Sequence, residues 1–226
     1  MKRTGIAVWL AAAAFIALAV QSHAALDLQL STCFSGTAPT SSLTPWVDML
    51  FQDNSGTGAG TVTLTITAPN LSVNAGTGEN MNQLYFNINP ALNVARLNIT
   101  YISGLNATSI QRQEDGFMAD GDGKYDVLLS FGNGQTGLGP GQSAVFTLSY
   151  NFGGVHSISS SDFNFLSTPA GGHGPFYAAA HIQNTGTGGA GSGWIAAPEP
   201  NYAAASAALL APVATWMLLP KRRKLP

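Results

Sequence analysis

A disulfide scaffold is excluded at once, because Cys33 is the only cysteine among 226 residues and a single thiol has no internal partner. Charge is scarce too, at 9% of the chain, and cations are nearly absent from its middle. Between residues 25 and 197 stand three basic residues, Arg96, Arg112 and Lys124, against ten acidic ones. Such an acidic body offers phosphates no cationic surface, which excludes nucleic acid as a partner and disfavours adhesion to anionic lipid. Catalytic signatures are missing as well. His156, His173 and His181 are the body's only histidines, and no HExxH or GxSxG accompanies them. Gly186, Gly188 and Gly191 match GxGxxG in spacing alone. A dinucleotide loop must open a helix within a βαβ unit, and here Trp194 and two prolines follow instead.

Long helical periodicity is the last absence, and what replaces it is an all-β pattern. Short apolar and β-branched runs recur between Gly, Asn, Ser and Pro clusters. In residues 61–67, Val62, Leu64 and Ile66 alternate with threonines, which predicts a strand with one buried and one wet face. Further strands are expected at 26–30, 83–88, 95–102, 125–131, 144–150 and 176–183, while 49–52 reads equally as a helical turn or a strand. The glycines at 132, 134, 137, 139 and 141 supply turns before and after the connecting segment. The count fits a β-sandwich, jelly-roll or immunoglobulin-like, over residues 25–183. Residues 184–197, dominated by Gly, Thr and Ser, read as a Gly-rich loop or linker.

Both ends differ from this body. Lys2 and Arg3 precede an uncharged apolar run over 5–20, and Ser22-His23-Ala24 presents small residues where a signal peptidase reads. Residues 1–24 are therefore expected to be a signal peptide, cleaved between Ala24 and Ala25. At the other end, Pro198-Glu199-Pro200 precedes an uncharged span at 202–219, followed by the basic tail Lys221, Arg222, Arg223 and Lys224. Eighteen helical residues at 1.5 Å each reach about 27 Å, close to the hydrocarbon thickness of a bilayer. Four cations beyond the span favour a cytoplasmic tail, with the body on the outer side.

This three-part order over residues 198–226 resembles the sorting signal of PEP-CTERM proteins. The resemblance implies recognition of Pro198-Glu199-Pro200 by an exosortase in the inner membrane. Cleavage near the motif would follow, with release or attachment of the body at the cell surface, in bacteria that make exopolysaccharide. The usual tail of that family is arginine-rich, whereas Lys221 and Lys224 are mixed in here.

Five of the body's acidic residues, Glu114, Asp115, Asp120, Asp122 and Asp126, fall within thirteen positions and are interrupted by glycines. Hard cations take six to eight oxygens, so Asp115, Asp120, Asp122 and Asp126 are candidate calcium ligands. The EF-hand pattern fails, since Lys124 and Phe131 stand where ligands belong, and a solvated acidic turn explains the same residues. His181, in an apolar strand, is expected to be a hydrogen-bonded core histidine. Trp46 and Trp194 serve either a core or a sugar-binding platform. The resulting expectation is an exported, non-enzymatic surface or matrix protein with a structural or adhesive role. Two alternatives stand beside it: a calcium-dependent module binding extracellular polysaccharide, and a secreted hydrolase with unmarked acidic catalysts.

Overall fold

In the computed structural model, residues 24–200 are described, apart from 75–76 and 152–154. The expected signal peptide up to residue 23, the expected span at 202–219 and the basic tail at 221–224 therefore lie outside the described residues. Among the described residues no helix is long and apolar enough to cross a membrane.

The chain forms β1 (Ala25–Leu30), β2 (Thr32–Gly36), β3 (Val47–Asp53), β4 (Val62–Thr67), β5 (Val73–Asn74), β6 (Thr77–Gly78) and β7 (Asn80–Phe86). It continues through β8 (Leu97–Gly104), β9 (Ser109–Ala119), β10 (Asp122–Ser130), β11 (Ser143–Asn151), β12 (Val155–His156), β13 (Ala178–Thr185) and β14 (Gly191–Ala197). Two six-stranded sheets result, and every pairing in them is antiparallel. The first runs β1-β3-β4-β11, with β8 and β12 also on β11, and the second runs β2-β14-β13-β7-β10-β9.

Alternation explains the first sheet. Val62, Leu64 and Ile66 in β4 are fully buried and face the core, as are Ala144, Phe146 and Leu148 in the adjoining β11, while the intervening threonines and serines face outward. The undecided segment 49–52 is strand β3, because Met49 and Phe51 complete the same inward row. Both sheets contribute to one apolar core, in which Phe51 of the first sheet meets Phe86 of the second at 5.6 Å between ring centroids. Phe163, on a short 3-10 turn at Ser160–Phe163, stacks on Phe51 at 4.7 Å and is fully buried.

In the second sheet the central strands are buried on both faces, so simple alternation disappears from β7 and β10. A smaller outer cluster of Tyr85, Ala119, Tyr125, Leu128 and Ala179 covers the face turned away from the main core.

One expectation is corrected here. Residues 184–197 are not a linker: they complete the β13–β14 hairpin, and β14 buries Ile195, Ala196 and Ala197. The glycines serve close packing. A Cβ on Gly193 would lie 2.2 Å from the carbonyl oxygen of Thr37, so β14 can pass this backbone only without a side chain. The folded body consequently extends to Ala197.

Candidate functional site

The residues expected to carry the sorting motif follow directly on the last strand. Pro198 and Glu199 are exposed just after β14, and Pro200 forms an antiparallel bridge with Leu28 of β1. Ala24 and Ala25 are exposed at the start of that same strand, where the Ala24 carbonyl accepts a hydrogen bond from the Asp53 amide at 3.0 Å. Leu28 stands three residues after Ala25, a distance of about 10 Å along an extended strand. Both expected processing points thus sit along one edge strand.

The carboxylates expected to share a cation do not converge. Asp126 acts as a staple: its Oδ1 accepts from the Asp115 amide at 2.9 Å and its Oδ2 from the Ile88 amide at 3.2 Å. Asp122, nearly buried, accepts from the His173 amide at 2.8 Å, and Asp120 is exposed at the β9–β10 turn. Among the described residues no three acidic, histidine or cysteine side chains are grouped to hold a metal. The expected shared calcium site at Asp115, Asp120, Asp122 and Asp126 is corrected accordingly. The residues lie on a hairpin whose register shifts between Tyr125 and Val127, and backbone donors already occupy Asp122 and Asp126. Asp115 and Asp126 instead join Glu114, Asn87, Leu92 and Phe165 around a cavity of about 130 Å³.

A different grouping forms on the outer face of the second sheet. Trp194 of β14 stands opposite His181 of β13, which stands opposite Gln83 of β7. The Trp194 and His181 rings are 4.7 Å apart, and Trp194 also meets Tyr85 at 5.7 Å. Tyr85 in turn meets Tyr125 at 5.7 Å and donates its hydroxyl to Gln83 Oε1 at 3.0 Å. Trp194, His181 and Gln83 remain half-buried, unlike Tyr85 and Tyr125 beneath them.

The β9–β10 hairpin also contributes to this face. In sheet order β7 and β10 separate β9 from β13, which in a flat sheet would put them about 14 Å apart. Ala119 at the end of β9 nevertheless packs in one cluster with Ala179 of β13. The hairpin therefore approaches β13, and the Asp120 carboxylate on its turn lies near enough to His181 to act on it electrostatically. Phe34, packed against the same outer cluster, also meets Phe176 and His173 at 5.0 and 5.9 Å between ring centroids.

Electrostatics define the state of His181. Its Nδ1 lies 2.7 Å from Asn82 Oδ1, and the Asn82 amide nitrogen donates to Asn133. That second bond fixes the amide, so its oxygen can only accept and the imidazole proton sits on Nδ1. Burial lowers the His181 pKa, with the Asp120 carboxylate opposing the shift. The neutral ring thus keeps Nε2 as an acceptor at neutral pH. The expectation of a hydrogen-bonded histidine holds, although it belongs to the outer face and not to the main core.

A second acidic pair escaped sequence reading altogether. Asp27 of β1 and Asp48 of β3 are near neighbours on the outer face of the first sheet, and each has a buried Oδ1 with no hydrogen-bond donor. Burial, then the Asp27 side chain, raises Asp48 to about 7, so a proton held there bridges the two carboxyls. The pair is twenty-one positions apart in sequence, and only the β1–β3 register brings it together.

No protein-family model, curated protein or solved structure matches the chain.

Proposed function

We propose that this is an exported, non-enzymatic envelope protein, sorted through its C-terminal signal to the cell surface or extracellular matrix, where it has a structural or adhesive role. In this reading signal peptidase cleaves between Ala24 and Ala25, and an exosortase acts near Pro198-Glu199-Pro200. Residues 202–219 hold the protein in the inner membrane until then, with Lys221, Arg222, Arg223 and Lys224 on the cytoplasmic side. The single observation that carries it is the order of motif, apolar span and basic tail in the last 29 residues. The exposure of Pro198 and Glu199 at the end of β14 supports it, because a protease needs extended, accessible backbone. The all-β body is read as a β-sandwich, jelly-roll or immunoglobulin-like, on the ground that one core draws on both sheets.

Mass spectrometry of the mature protein from its native host tests the assignment. The expected species starts at Ala25 and ends near Pro198; a chain still carrying Pro226 overturns sorting by cleavage.

A further inference from the structure

We propose that the outer face of the second sheet, where Trp194 and His181 meet near the Asp120 turn, is a binding site for an uncharged saccharide. The inference is independent of how the chain is sorted, since it rests only on the folded body.

Three features specify the ligand class. The first is a flat apolar surface that is fixed but not hidden. Trp194 is held by ring contacts to His181 at 4.7 Å and Tyr85 at 5.7 Å, and it stays half-buried. An indole held in this way can stack on the C–H face of a sugar ring without losing side-chain freedom on binding.

The second feature is the polarity of the rim. His181 Nε2 is an acceptor, because Nδ1 is committed to Asn82. Gln83 takes the Tyr85 hydroxyl on Oε1, which leaves its amide nitrogen as a donor, and the exposed Asp120 on the nearby β9–β10 turn offers acceptor oxygens. Hydroxyl groups both donate and accept, so a sugar can satisfy all three, while a purely apolar ligand would strand them.

Charge is the third. The body holds only Arg96, Arg112 and Lys124 as cations, and Arg112 donates to the Leu97 carbonyl at the edge of the other sheet. Asp120 on the β9–β10 turn acts electrostatically on His181, so an anionic glycan or phosphate would meet a like charge at this face. A neutral glycan meets none.

The test is calorimetry on the purified full-length chain with three probes, cellohexaose, laminarihexaose and maltohexaose. At least one is expected to bind saturably. Trp194→Ala should weaken that binding at least tenfold, and Asp120→Asn about threefold. Asp120 is exposed on a turn, so its substitution leaves the fold intact and keeps the test open if Trp194→Ala does not fold. Flat titrations with all three sugars overturn the assignment, as does unchanged affinity in both variants. Either failure leaves the processing result from mass spectrometry untouched, and an unprocessed C-terminus would not affect this binding.

Discussion

Replacing Asp48 with asparagine should stabilise the protein above neutral pH and do little below pH 4. The cause lies in the β1–β3 register, which sets Asp48 beside Asp27 with a buried oxygen on each and no donor for either. Folding raises the Asp48 carboxyl from an ordinary 3.8 to about 7, through burial first and the neighbouring Asp27 second. The folded state therefore binds this proton more tightly than the unfolded state. The stability it contributes is complete below about pH 4, and it is lost as pH rises through about 7. At full weight a shift of this size corresponds to roughly 4 kcal/mol. Water reaches part of the half-buried carboxyl, which reduces the expected effect to about 1–2 kcal/mol. Asparagine cannot ionise, and its amide supplies the donor that the shared proton otherwise provides. Thermal unfolding of Asp48→Asn against the parent at pH 4, 6 and 8 reads the difference. The melting temperatures should agree at pH 4 and separate by about 2–8 °C at pH 8. A separation that is constant with pH, or a parent more stable than the variant at pH 8, refutes the reasoning.

Two further substitutions test the packing. Phe163→Ala removes a fully buried ring that touches Phe51 at 4.7 Å and Phe86 at 6.1 Å, and urea unfolding should show a loss of about 3–5 kcal/mol. Gly193→Ala and Gly188→Ala together test whether 184–197 is a packed hairpin. The first forces a Cβ to 2.2 Å from backbone at Thr37, whereas nothing lies within 4 Å at the second. Gly193→Ala should cost about 1–3 kcal/mol or more, while Gly188→Ala should be neutral or slightly stabilising. Equal, small effects at both positions would mean that β14 does not pack as described.

Strand character was legible where apolar residues alternate with Thr or Ser. In β4 and β11 the two-residue alternation of apolar with Thr or Ser is itself the cause of burial, so reading one predicts the other. It failed in β2, β9 and β14, and in the last two the reasons differ. Gly, Ser and Trp around residue 193 look like a linker when counted, but here glycine marks a close approach of two backbones that are far apart in the chain. The acidic stretch of β9 and β10 looks like a loop ligand set, yet the hairpin assigns its carboxylates to separate hydrogen bonds.

The division follows from range. Composition, the apolar spans at both ends and the basic tail are local properties, and they govern the proposed export and sorting without reference to any fold. Alternation is local as well, and it suffices for an all-β body. The Trp194–His181–Gln83 row, the approach of the Asp120 turn to it and the Asp27–Asp48 pair are set by cross-strand register. Register depends on which strands meet, and a shift of one residue would turn each of these side chains to the opposite face. Only the tertiary structure decides that.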